Sequence, residues 1–201
     1  MQKAIDYLIK NDKVMFDLYK IYGVPYIPSR PEGFETLCKL IIEQQVSLES
    51  AKACFLNLEK NIGAVTPENI LKYTEEEIRT FSISRQKASY LKALSEAVTN
   101  GTLDISSLSA KNEGQVRKEL IQIKGIGNWT IDIYLMFSLQ SPNIIPLGDI
   151  AIVNTIKELF NCTTTEEIEK ISNNWKPYNS MASFFLWHHY LAKRNRKPVI
   201  Y

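Results

Sequence analysis

Two short stretches of the chain carry residue types and spacings that propose chemistry. In Leu120-Ile121-Gln122-Ile123-Lys124-Gly125-Ile126-Gly127-Asn128-Trp129-Thr130, two glycines flank one apolar residue between two helical patterns. Such a turn can present successive backbone N–H groups at the start of the second helix with no side chain in the way, which suits a phosphate oxygen. Further along, Pro146-Leu147-Gly148-Asp149 ends in a lone carboxylate that opens another helix, where negative charge is favoured. The pairing proposes a grip and a reaction. Each half also has a plainer role, the first as an ordinary αα-hairpin with glycine in its turn and the second as an N-cap.

The elements that must position these residues are helical. Apolar residues recur at helical spacing over 12–22 (Val14, Phe16, Leu18, Tyr19, Ile21) and 34–45 (Phe34, Leu37, Leu40, Ile41, Ile42). The same holds over 48–62, 84–100, 112–123, 128–139, 149–160, 164–173 and 179–194, whereas strand alternation is absent. Thr66-Pro67, Thr74 to Glu77 and Thr164 to Glu167 read as helix starts, and Gly23, Gly63 and Gly101 as stops. The expectation is an all-α chain of about ten helices. Pro25, Pro28 and Pro31 make a stiff connection, placed here as the crossover between two lobes.

Composition sets the class. The chain has 201 residues, 45% hydrophobic and 23% charged, enough for one sizeable core or two small lobes and too apolar for disorder. A formal charge of +2 means that nucleic acid would have to be held by a local patch and oriented amides. Cys38, Cys54 and Cys162 read as buried thiols in a reducing compartment, and three cysteines cannot ligate a four-cysteine iron–sulfur cluster. No signal-peptide pattern and no apolar run of spanning length are found, so the expectation is an intracellular protein with no membrane partner. Lys193, Arg194, Arg196 and Lys197 form the one dense basic run, read as a solvated tail.

Taken in order, these segments resemble the helix-hairpin-helix DNA glycosylase superfamily, and within it the DNA-3-methyladenine glycosylase II family. Gly125-Ile126-Gly127-Asn128-Trp129-Thr130 with Pro146-Leu147-Gly148-Asp149 looks like the superfamily's hairpin and the loop bearing its catalytic Asp. Gly33-Phe34-Glu35-Thr36-Leu37 leading to Gln44-Gln45-Val46-Ser47 is similar to that branch's Phe-x-x-Leu…Gln-x-Val-Ser. Ser84-Arg85-Gln86-Lys87-Ala88-Ser89-Tyr90-Leu91 resembles its Ser-x-x-Lys-Ala-x-Tyr-Leu helix. Trp175-Lys176-Pro177-Tyr178 and Leu186-Trp187 resemble its Trp-Arg-Pro-Tyr…Leu-Trp segment, with Asn179 where the family often has Arg. The chain looks like the minimal catalytic unit of that family.

The resemblance implies an all-α fold of two lobes with a DNA-binding cleft between them: 32–145, holding the hairpin at 112–139, and 1–31 with 146–201. It implies a target nucleotide flipped out of double-stranded DNA that carries a damaged base, with Asp149 facing its sugar. Asp149 would stabilise the oxocarbenium-like state and orient the attacking water. Bifunctional relatives carry a Schiff-base Lys where this chain has Trp129, so a monofunctional hydrolase is expected. Trp129, Trp187 and Ile133 match base-pocket positions, with a core role as the alternative for the two Trp. Gln45 matches the residue that fills the gap left by the flipped nucleotide, while Gln44 and Ser47 would bond the chain's own backbone. The amides of Gly125, Gly127 and Thr130 would meet a phosphate, with Lys124 nearby. The carbonyls of Ile121, Ile123 and Ile126 would hold a structural Na+ or K+. No other cofactor is implied. The expected protein is a monomer excising alkylated purines of the 3-methyladenine class, in the cytoplasm of a prokaryote or the nucleus of a eukaryote. A glycosylase for another damaged or mismatched base, or a non-catalytic hairpin module, are the alternatives.

Overall fold

The structure is a computed structural model and describes residues 1–196, so Lys197 of the basic run lies outside the described residues. Among the described residues every regular element is helical, and the chain divides into two compact units. Of the described residues, the first comprises Met1–Ser29 and those from Leu135 to Arg196, and the second is Arg30–Tyr134. One crossing therefore falls within the proline-containing connection, and the other falls inside a helix, Asn128–Phe137, ahead of the loop to Pro146.

In the second unit the order is α3 (Phe34–Glu43), α4 (Leu48–Ile62), α5 (Pro67–Leu71), α6 (Glu75–Thr80), α7 (Arg85–Thr99), a 3₁₀ turn (Ile105–Ala110), α8 (Glu113–Leu120) and the start of α9 (Asn128–Phe137). Helix α7 packs on α3, α5 and α6, and α3 packs on α4. The Thr74 and Asn112 capping boxes fix the starts of α6 and α8, and Ser84 caps α7. Helix α3 is the best buried of these, with Leu37, Cys38, Leu40, Ile41 and Ile42 closed from solvent.

The first unit holds α1 (Gln2–Asn11), α2 (Lys13–Tyr22), the end of α9, α10 (Ile150–Phe160), α11 (Thr165–Asn173) and α12 (Asn179–Lys193). Helix α12 packs on α10, α2 and α1, and its residues from Asn179 to Leu186 are all buried. Trp175 is fully buried, with its indole N–H donating to Asp12 at 2.8 Å and its ring edge-on to Phe160. In α2 the expected stripe is displaced: Met15 and Leu18 are buried, whereas Phe16 and Ile21 are exposed. The segment is apolar enough to offer two stripes, and the one through Met15, Leu18, Tyr19 and Tyr22 faces α12 and α1. Helix α1 has no counterpart among the expected helices, its inward side being only Ala4, Ile5 and Leu8.

No helix among the described residues is long and apolar enough to cross a membrane. Cys38 and Cys162 are buried, Cys54 is half-buried, and all three are free thiols.

Candidate functional site

The hairpin turn is built from inside. Helix α8 ends in tighter bonds across three residues, from Gln122 N–H to Glu119 and from Ile123 N–H to Leu120, and the Ile126 N–H returns to the Ile123 carbonyl at 3.0 Å. Ile123 and Ile126 are buried and plug the turn, and Ile121 is exposed. Across the hairpin, the Arg117 guanidinium of α8 donates to Asp132 of α9 at 2.5 Å and to Asn128 at 3.2 Å. Burial nevertheless raises the Asp132 carboxyl above its ordinary pKa, with Arg117 opposing the shift.

The two glycines, alike in sequence, do different work. Gly125 has φ +93°, and a Cβ there would lie 2.1 Å from Cγ of Tyr90, so its smallness is demanded by the fold. Gly127 has no positive φ, and a Cβ there would meet nothing within 4 Å. Gly127 and Asn128 are exposed, and the first intrahelical bond of α9 runs from Ile131 N–H to Gly127. Two residues of this stretch are less exposed than expected. Thr130 is buried, at 1% exposure. Ile133 is likewise buried, at 3%. The exposed Lys124 ammonium donates to the Ser89 hydroxyl at 2.7 Å. Trp129 is half-buried. Of the carbonyls proposed to hold a monovalent cation, that of Ile123 keeps one lone pair beyond its bond from Ile126.

The turn after α3 is held at several points. Sequence periodicity runs this helix to 45, but it ends at Glu43, because Gln44 has ψ 127° and Gln45 has φ +57°. A non-glycine residue in the left-handed region costs roughly 1–2 kcal/mol. Gln45 is exposed, and its half-buried neighbour Gln44 donates from Nε2 to the Gly125 carbonyl at 2.8 Å and to the Thr130 hydroxyl at 3.0 Å. One residue earlier, Arg30 donates to both oxygens of Glu43 at 3.0 and 2.8 Å. Burial raises the Glu43 carboxyl and Arg30 opposes this. Lys87 of α7 donates to the Ile42 carbonyl at 2.7 Å, and burial lowers the pKa of its ammonium. At the other end of α3, Gly33 N–H donates to the Tyr134 hydroxyl at 3.0 Å. The Ser-x-x-Lys-Ala-x-Tyr-Leu helix thus acts through Lys87 on this turn and through Tyr90 on the hairpin. Ser47 caps α4 by accepting from Ser50 N–H.

In the first unit, Asp149 lies in a loop of a different kind. Gln140, itself at φ +52°, caps the end of α9 by donating to Phe137 and Met136 carbonyls. The start of α12 then grips residues 141–144: the Ser180 hydroxyl donates to Ser141 at 2.6 Å and accepts from Ile144 N–H at 3.0 Å, while Ser180 N–H donates to Pro142. Asn179, at the position where the family often has Arg, is buried and donates from Nδ2 to Asn143 at 3.0 Å. Asp149 N–H closes the turn on Pro146 at 2.9 Å, and Oδ1 accepts the N–H groups of Ala151 and Ile152 at 2.9 and 3.1 Å. Asp149 is half-exposed, and Ile150 beside it is 76% exposed. On α12, Trp187 is half-buried against Phe137 and Phe184, with ring centroids at 5.6 and 6.1 Å.

A family model described as "HhH-GPD superfamily base excision DNA repair protein" matches residues 38–177, a span that contains the Gln44–Ser47 turn, the hairpin and Asp149. The chain belongs to this superfamily. A putative DNA-3-methyladenine glycosylase of Bacillus subtilis is 33% identical over 77% of the chain, and a second B. subtilis protein named DNA-3-methyladenine glycosylase is 31% identical over 84%. The chain spans only 58% and 60% of those two relatives' lengths. Among solved structures, the Schizosaccharomyces pombe 3-methyladenine DNA glycosylase, determined in complex with abasic DNA, superposes with a TM-score of 0.83 at 28% identity, covering 92% of this chain and 95% of that one.

The anchors Gln44 to Gly125, Tyr90 to Gly125 and Ser180 to Ser141 and Ile144 escape sequence reasoning. Their partners lie 81, 35 and 36–39 residues away.

Proposed function

We propose that the chain is a monofunctional DNA glycosylase that hydrolyses the N-glycosidic bond of alkylated purines, 3-methyladenine above all, in double-stranded DNA for base excision repair. The observation that carries this reading is Asp149, a half-exposed carboxylate whose Oδ1 is oriented by two helix amides, standing in the Pro-Leu-Gly-Asp loop of a superfamily member. An everted nucleotide would bring C1′ to this carboxylate. As the C1′–N bond breaks, the bonding pair leaves with the base and positive charge grows on the sugar. A carboxylate already fixed in place stabilises that charge without reorganising. Water then adds to C1′ and its proton passes to Asp149 or to solvent, leaving an abasic site.

The remaining groups support the same reading. Gly127 has no internal reason to lack a side chain, so its smallness serves something that approaches from outside, and a phosphate on the exposed amides of the turn fits. Gln45 presents an exposed side chain from a strained backbone, as a residue filling the gap of a flipped nucleotide would. Trp129 supplies no amine where a Schiff base would form, and Trp129 and Trp187 offer π faces for a cationic base. The carbonyls of Ile121, Ile123 and Ile126 would hold a monovalent cation beside the phosphate. The protein would work as a monomer, in the cytoplasm or nucleus with the DNA.

The test is release of free base from duplexes each carrying one defined lesion. Release from 3-methyladenine duplexes, with strand cleavage only after alkali, is expected. Equal binding of lesion and undamaged duplexes with no base released would reduce the chain to a binding module, and preference for an oxidised or mismatched base would move the substrate class.

A further inference from the structure

We propose that Gln44 is a positioning residue: by tying the turn that follows α3 to the hairpin turn, it holds Gln45 in its left-handed conformation. The inference rests on the glycosylase reading only for its catalytic readout. Gln44 ends α3 and precedes the strained residue directly, so fixing its side chain fixes where the backbone at 45 begins. Its amide nitrogen spends both protons on the hairpin, one on the Gly125 carbonyl and one on the buried Thr130 hydroxyl. Gly125 in turn is locked against the Tyr90 ring, and Lys87, on the same helix as Tyr90, holds the Ile42 carbonyl two residues before Gln44. The closed circuit from Ile42 through Gln44, Gly125, Tyr90 and Lys87 makes the exposed Gln45 and the exposed amides beyond Gly125 parts of one rigid frame. A duplex that must be gripped at a phosphate and filled at a gap needs that frame, whereas a lesion in single-stranded DNA, with no gap to fill, does not.

Gln44→Met keeps the length of the side chain and removes both donors, and Thr130→Val removes one acceptor at nearly constant shape. Single-turnover base release from duplex and from single-stranded DNA carrying the same lesion is measured, with hydrogen exchange of peptides covering 44–47 and 121–130. Gln44→Met is expected to slow duplex release by about tenfold or more and single-stranded release by less than about twofold, as displacement of a positioning group does. Exchange should rise in both turns together, and adding Thr130→Val to Gln44→Met should slow release no further. Equal loss on both substrates, unchanged duplex release, or faster exchange in one turn alone overturns the proposal. If Gln44→Met does not fold, Thr130→Val answers the same question with a smaller duplex-specific loss. A wild-type chain that releases no base from any lesion refutes the glycosylase reading, and the joint rise in exchange then decides the tether by itself.

Discussion

The turn that carries Gln45 and the loop that carries Asp149 are both irregular, and they are held in opposite ways. The first is strained at a non-glycine residue and tied down by long side chains, those of Gln44 in the turn itself, Arg30 in the segment before α3 and Lys87 on α7. The second lets Asp149 be its own anchor: it caps α10, and short groups at the start of α12 secure only the approach to it. A carboxylate that must face a growing charge gains from a fixed, unstrained seat, because reorganisation is what such catalysis avoids. If Gln45 fills the gap of a flipped nucleotide as proposed, its side chain gains from a backbone that cannot relax away.

The largest test of the contrast is Asp149→Asn. Asparagine caps a helix as well as aspartate does, so the melting temperature should stay close to that of the wild type. Base release should fall by on the order of 10³-fold, since the fixed negative charge is gone. A variant that melts early as well as losing activity would show Asp149 to be chiefly structural.

Next in size is the pair of hairpin glycines. Gly125→Ala forces a side chain onto a left-handed backbone and into the Tyr90 ring, and should destabilise the protein by about 3 kcal/mol. Gly127→Ala should leave the melting temperature unchanged and weaken duplex binding by about tenfold, or ~1.4 kcal/mol. Thermal melts and binding titrations of both variants check this. If Gly127→Ala binds normally, the phosphate grip does not run through this turn.

These glycines also mark the limit of what the sequence makes legible. Features closed within a few residues are readable: the capping boxes at Thr74 and Thr164 form as expected, the Gly23, Gly63 and Gly101 stops all have positive φ, and Asp149 opens α10. Nothing local tells Gly125 from Gly127, because the difference is a ring 35 residues away. For the same reason the motif gives Thr130 as an amide contact and Ile133 as a pocket position without revealing that three-dimensional packing buries both residues. The end of α3 is misplaced by two residues because Gln is a good helix former and no glycine or proline marks a stop there, whereas Gln44 leaves the helix and bonds Gly125, 81 residues away.

Ser180→Ala tests the Asp149 side at intermediate size. It leaves the Ile144 N–H and the Ser141 carbonyl without their hydroxyl partner, and the Ser180–Ile144 bond is buried. A loss of roughly 1–3 kcal/mol is expected. Base release should fall only a few-fold, because Asp149 keeps its own two amide bonds. A loss of about tenfold or more would mean that the loop depends on α12 as heavily as the other turn depends on Gln44.

The smallest effect separates the two regions by pH. The far end of α12 carries His188 and His189, stacked near Tyr22, and burial lowers both pKa values; at His189 Glu158 opposes that shift while Lys193 and Arg194 add to it. Nδ1 of His188 and Nε2 of His189 are buried without a hydrogen-bond partner among the described residues. For a base whose folded pKa is depressed, the stability contribution is complete above the unfolded value of about 6.5 and is lost as pH falls through the folded one. Acid should therefore loosen the helix that secures the Asp149 approach, while the bonds from Gln44 to the Gly125 carbonyl and the Thr130 hydroxyl join groups that carry no acid–base charge. Hydrogen exchange between pH 7 and 5.5, corrected for the intrinsic rate, should show protection falling in 179–193 and holding in 121–130. The combined His188→Gln and His189→Gln variant should flatten the first trend. If the two regions lose protection in parallel and the variant does not alter it, the regions open as one cooperative unit, and the independence of their anchors is lost.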